Sequence, residues 1–251
     1  RMSDATEKPA GGQFRLLGSR RFAPLFLTQF LGAFNDNLFK NALIVLVTFQ
    51  SAQWTSMRPE ILANLAAGLF ILPFFFFSAT SGQLADKYDK AMLARLTKLL
   101  EVGIMIVAIA GFLLHSLTLL LAALFLLGLQ STLFGPVKYA ILPQHLHEDE
   151  LVGGNAQVEA GTFVAILIGT LAGGLLAGAG VDAVWIAMAG FAVAVAGYLA
   201  SRNIPEAPPP APELVVNVNP LSETWRNIGF ARENRTVFLS ILGISWFWLY
   251  G

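Results

Sequence analysis

Six stretches of this sequence are each long and apolar enough to cross a lipid bilayer, and no other feature narrows the fold as much. They cover 22–49, 61–81, 92–114, 117–139, 153–180 and 183–201, where a spanning helix needs about 20 mostly apolar residues. A backbone in hydrocarbon must satisfy its own hydrogen bonds, so such runs form helices. The fold class that follows is an all-α integral membrane protein. Charged residues are only 13% of the chain and hydrophobic ones 55%, whereas soluble domains are about a quarter charged. A seventh apolar run starts near Thr236 and is cut off at Gly251, so the sequence reads as a fragment.

Positive charge sets the expected orientation. With the N-terminus in the cytoplasm, every lysine and arginine except Arg58 and Lys40 falls in or beside a cytoplasmic segment. The chain then divides into a cytoplasmic N-terminus (1–21), a six-helix transmembrane bundle (22–201), a cytoplasmic linker (202–235) and the start of a seventh span (236–251). The first run is too long for a cleaved signal and lacks an A-x-A site. In the linker, "PEAPPPAPE" is expected to be extended and solvated. Asn219 and Pro220 then open a helix carrying Leu221, Trp225 and Ile228 on one face. That helix lies on the inner membrane surface or is an ordinary soluble connector.

The first span is interrupted by "FNDNLFKN" (34–41). A charge at bilayer depth costs about 2.5–3.5 kcal/mol on insertion scales, so Asp36 and Lys40 must be paired, hydrated or used. At about 100° per residue, Asp36, Asn37, Lys40 and Asn41 share an arc of roughly 140°. Asn35 lies roughly 100° from Asp36 and faces a neighbouring helix. The stripe of four faces a watery cavity or the bundle interior, as a binding surface or as a lock between helices.

Other polar residues fall within or beside the spans. Gln130, Ser131 and Thr132 in the fourth span either add hydrogen bonds in the cavity or join helices. Lys138 and Glu159 sit at comparable depth and are candidates for a pair across spans four and five. Lys98 and Glu101 are candidates for another. Gly169–Gly173 and Gly174–Gly178 each have the GxxxG spacing that permits close helix packing. No nucleotide-binding loop is present. "HLHEDE" lacks fixed metal-site geometry, so neither a metal nor another cofactor is expected. Formal net charge is zero and cysteine is absent, which leaves no basic face for nucleic acid and no disulfide.

The loop "GQLADKYDKAMLARL" between spans two and three resembles the signature of the major facilitator superfamily. Gly82, Leu84, Ala85, Asp86, Lys87 and Lys90 match; Asp89 and Ala91 depart from it. The resemblance implies an N-terminal six-helix half plus the start of helix seven, with this loop as part of an inner gate. Gly82 would allow close approach and a turn, and Asp86 would sit against a helix N-terminus or an arginine. Together with the loop, "FLGAFNDNLFKNAL", "FGPVKYAILPQ" and "GNAQVEAGTFVAILIGTLAGG" resemble the bacterial lysophospholipid transporter (LplT) family. The resemblance is closest to the form fused to acyltransferase and acyl-ligase domains.

That resemblance implies a flippase of the bacterial inner membrane. It would carry lysophospholipids from the outer to the inner leaflet, where an acyltransferase restores the second chain. Asp36 would contribute to substrate binding, with Asn37, Lys40, Asn41 and Gln130 as further candidates. Gly82, Asp86, Lys87, Lys90, Lys138 and Glu159 would serve the gate. The chain itself carries no H-x-x-x-x-D acyltransferase motif, because Glu150 follows His145 and Val152 follows His147 at that spacing. Two alternatives remain: a proton-coupled exporter of drugs or metabolites, and the membrane part of a fused phospholipid acyltransferase.

Overall fold

The computed structural model describes residues 13–49, 54–217 and 219–250. A 3-10 turn, Gln13–Gly18, precedes α1 (Ala23–Phe49), α2 (Pro59–Lys87), α3 (Lys90–Leu113) and α4 (Leu117–His145). Then come α5 (Glu148–Gly178), α6 (Ala183–Ser201), α7 (Pro220–Glu233) and α8 (Arg235–Tyr250). Among the described residues all regular structure is helical, and α1 to α6 are long and apolar enough to cross a bilayer. The chain is thus a multi-pass membrane protein. The expected N-terminal stretch 1–12, with Arg1 and Lys8, and the terminal Gly251 lie outside the described residues.

Short connections make successive helices antiparallel. The α2–α3 turn, the α4–α5 turn and the α6–α7 linker therefore share one end of the bundle, the end where α1 begins, here the basal end. Side chains mark where each helix starts. Asp89 accepts from the Met92 N–H at 2.7 Å, and Asp182 from Val184 at 2.8 Å. Asn219 accepts from Leu221 and Ser222 at 3.1 and 3.2 Å, with Pro220 at the first helical position. Each of these bonds satisfies an amide that the first turn leaves free. Beyond α5, Gly180 has φ +76°, a conformation that costs glycine nothing.

α1 packs against α5 and α6, while α4 packs against α2 and α3. Small residues set the closest approaches. A β-carbon on Gly169 would run into the Phe34 carbonyl oxygen, and one on Gly173 into that of Leu38. Gly128 of α4 meets the Phe70 carbonyl of α2 in the same way. The second expected glycine pair is not used: among the described residues, Gly174 and Gly178 meet nothing from another helix within 4 Å of where a β-carbon would sit. They lie on the outer side of α5, where Leu167, Leu171 and Leu175 are exposed. Phe74 to Phe77 of α2 are exposed likewise; in a bilayer such side chains face lipid or another helix.

Pro136 removes one N–H from α4 and leaves the Thr132 carbonyl without its intrahelical partner. Ser81 of α2 donates to that carbonyl at 2.8 Å, so the gap in α4 becomes a link to α2.

The basal end corrects three expectations. Gly82 is not at a turn: α2 continues through it to Lys87, and among the described residues no other helix comes within 4 Å of its β-carbon position. The chain turns at Tyr88 and Asp89, where Asp89 takes the capping role expected of Asp86. Asp86 is exposed and, among the described residues, joins no ion pair within 4.0 Å. The proline-rich linker is extended but not solvated throughout. Ile204 and Ala207 are buried among basal-end side chains of α1 to α5. The Ala207 N–H donates to Asp89 and its carbonyl accepts from the Lys90 N–H, both at 2.9 Å. Lys90 Nζ donates to the Pro208 carbonyl at 3.1 Å, and Arg95 to that of Ile204 at 3.0 Å. Farther along, Gln83 exchanges two hydrogen bonds with the Asn217 backbone, at 2.7 and 3.1 Å. Proline prevents helix formation but leaves carbonyls free to accept, and the basal side chains use them.

Gly173→Ala should lower the stability of the detergent-solubilised protein by about 1–3 kcal/mol through overpacking. Gly174→Ala should leave it equal or raise it, since alanine favours helix by about 1 kcal/mol. Thermal unfolding midpoints of the two variants check this contrast.

Candidate functional site

A cavity of about 470 Å³ opens beside the middle of α1. Asp36, Asn37 and Lys40 reach it from α1, Ser131, Lys138 and Tyr139 from α4. Lys98 of α3 and Thr162 of α5 complete its polar wall, and Phe70 and Phe74 of α2 its apolar side. Three ammonium groups and one carboxylate therefore line one space.

Asp36 is 5% exposed. One of its oxygens accepts from the Ser131 hydroxyl, while Oδ1 has no partner among the described residues. No ion pair within 4.0 Å joins Asp36 to Lys40 among the described residues. The Lys40 ammonium instead lies 4.9 Å from the centroid of the Phe70 ring, a cation–π arrangement. A carboxylate oxygen that is buried without a donor is costly. A ligand that brings a cationic donor to Asp36 relieves that cost.

The α1 stripe is only partly on the wall. Asn37 is there, with its amide donating back to the Ala33 carbonyl at 2.8 Å. Asn41 is not: it donates to Thr170 of α5 at 3.1 Å and to the Asn37 carbonyl at 2.9 Å. The reason is rotation, since Asn41 stands farthest around the arc from Asp36 and meets α5 first. Gln130 is also off the wall. It is 1% exposed, and its Oε1 lies 3.3 Å from the Ser131 hydroxyl, whose proton goes to Asp36. Asn35 turns to α3 and donates to Glu101 at 2.8 Å.

Lys98 and Glu101 form an ion pair of 2.7 Å with both side chains 1% exposed. The expected Lys138–Glu159 pair does not form. Glu159 accepts from the Tyr139 hydroxyl, while Lys138 Nζ is 3.5 Å from Thr162 and 4.8 Å from the centroid of the Tyr139 ring. Residues 138 and 139 are about 100° apart around α4. The roll of the helix presents Tyr139 to Glu159 and turns Lys138 into the cavity, which makes Lys138 a wall residue rather than a fastener between α4 and α5.

Sequence reasoning missed Gln29, Tyr139 and Thr162 on the wall. Gln29 carried a signal, because it precedes Asp36 by seven residues and shares its face. Its Oε1 accepts from Thr162 at 2.7 Å, which joins α1 to α5 below Asp36. Thr162 and Tyr139 carried none, since their facing depends on how α5 and α4 are rolled.

Residues 25–251 match the Major Facilitator Superfamily. The lysophospholipid transporter LplT of Escherichia coli strain SE11 is 30% identical over 238 residues, covering 92% of this chain and 55% of that protein. The LplT of Klebsiella pneumoniae strain 342 is 29% identical over 247 residues, with the same coverage. That of Serratia proteamaculans strain 568 is 28% identical over 236 residues, covering 92% of this chain and 54% of its own. The chain spans about half the length of the curated relatives it matches.

The absence of native cysteine makes the wall easy to map. A cysteine at Ser131 should react with a small water-soluble thiol reagent in membranes, whereas one at the adjacent Gln130 should be protected. Equal labelling of the two would contradict the placement of the cavity.

Proposed function

The chain belongs to the Major Facilitator Superfamily, and from that premise we propose that it is the part of a lysophospholipid flippase that receives the headgroup. The substrate passes from the outer to the inner leaflet of a bacterial inner membrane by alternating access, with the N-terminus in the cytoplasm. A separate or fused acyltransferase then restores the missing chain, and this chain performs no chemistry itself. The names of the relatives support the substrate class, and the distribution of basic residues supports the orientation.

One observation carries the proposal: a buried carboxylate with a free oxygen, Asp36, shares a mid-membrane cavity with Lys40 and Lys138. A zwitterionic headgroup brings an ammonium and a phosphate. Asp36 takes the ammonium, and Lys40 and Lys138 take the phosphate. Ser131 orients the Asp36 carboxylate and Asn37 lines the wall beside it, while Phe70 and Phe74 offer an apolar wall to the start of the acyl chain. A single acyl chain needs no polar path, because it runs along apolar helix surface or into lipid. In this account the basal turn, with Asp86, Lys87 and Lys90, closes the cytoplasmic side when the cavity faces outward.

The test is inward movement of labelled lysophosphatidylethanolamine by the whole protein, as its gene encodes it, in proteoliposomes. Hydrogen bonds to charged groups contribute about 1.5–3 kcal/mol, so Asp36→Ala should slow transport by roughly ten- to a hundredfold. Unchanged transport in that variant removes the headgroup role of Asp36. Transport of soluble compounds that stops without a proton gradient favours the exporter alternative.

A further inference from the structure

The buried pair Lys98–Glu101 has no part in the account above, although Lys98 lines the same cavity as Asp36. Its geometry is specific. Gly32 is four residues before Asp36 on the same face of α1, about 6 Å along the axis. The Lys98 ammonium occupies the space beside Gly32, where a β-carbon would collide with it. Glu101 Oε2 holds that ammonium at 2.7 Å, and the Phe134 ring lies below it at 4.9 Å from the centroid. The other oxygen of Glu101 is fixed by the Asn35 amide at 2.8 Å. Glu101 is thus anchored from α1 and in turn anchors a cation one helical turn from Asp36.

A buried ammonium that loses its carboxylate must find another anion or lose its charge. The carboxylate on the cavity wall is Asp36, whose buried Oδ1 has no hydrogen-bond partner among the described residues. The charged groups facing this region are Asp36 and Lys40 of α1, Lys98 and Glu101 of α3, and Lys138 of α4.

We propose that Glu101 is a positioning residue for headgroup choice: it retains Lys98 beside Gly32 and so reserves Asp36 for the ammonium of the substrate. The proposal rests on the lysophospholipid function stated above. With Glu101 in place the wall offers one anionic and two cationic partners, which fits a zwitterionic headgroup. Without it, Lys98 neutralises Asp36, and the wall becomes a cationic surface that serves an anionic headgroup equally well.

The experiment compares transport of lysophosphatidylethanolamine and lysophosphatidylglycerol by the whole protein in proteoliposomes. The wild type should move the ethanolamine lipid faster. In Glu101→Gln that ratio should fall several-fold, and in Lys98→Met/Glu101→Leu it should return toward the wild-type value. Lys98→Gln, which leaves Glu101 as an extra anion, should raise it. A merely structural role for the pair would lower both rates together and leave the ratio in place. An unchanged ratio in Glu101→Gln overturns the proposal. Should that variant fail to reach the membrane, a fall in the ratio for Lys98→Gln overturns it instead. A wild type that moves neither lipid removes the transport function itself, and the proposal with it.

Discussion

A charge at bilayer depth is the constraint from which the rest of this fold follows. An uncompensated one costs about 2.5–3.5 kcal/mol or more, and this bundle compensates its charges in three different ways. Lys98 and Glu101 are paired and sealed at 1% exposure. Lys40 rests on an aromatic face. Asp36 is held by Ser131 through one oxygen, while its other, buried oxygen has no donor among the described residues. The first arrangement is complete within the bundle, whereas the last leaves a carboxylate oxygen without a donor among the described residues. In the proposed function that difference separates the pair that shapes the site from the carboxylate that receives the headgroup.

Close packing makes the arrangement possible. Gly169 and Gly173 bring the backbone of α5 against α1, so that Thr162 reaches Gln29 and Thr170 reaches Asn41. Gly128 and the Ser81 hydrogen bond bring α2 and α4 together on the other side. Between these two tight seams the space beside Asp36 stays open. At the basal end the linker fastens α2, α3 and α4 through its carbonyls, in addition to connecting α6 to α7.

The spans and their order were legible because hydrophobic length is a direct imprint of bilayer thickness. The division of the α1 stripe was legible too, since helical period alone separates Asn35 from Asp36. Asn41 shows the limit of that logic: it shares the arc, but a neighbour at its edge claims it. The contrast between Lys138 and Tyr139 was not legible, because it depends on the roll of α4, which tertiary packing fixes. Gly82 was misplaced because a motif suggested a turn where no breaker ends α2. The linker was misjudged because proline content encodes extension but says nothing about what the extended chain touches.

Headgroup recognition at mid-membrane is most directly tested by binding. The whole protein should bind lysophosphatidylethanolamine far more tightly than a monoacylglycerol with the same acyl chain, because only the former offers an ammonium to Asp36 and a phosphate to Lys40 and Lys138. Equal affinity for the two would mean that the cavity reads only the chain, and would contradict the account.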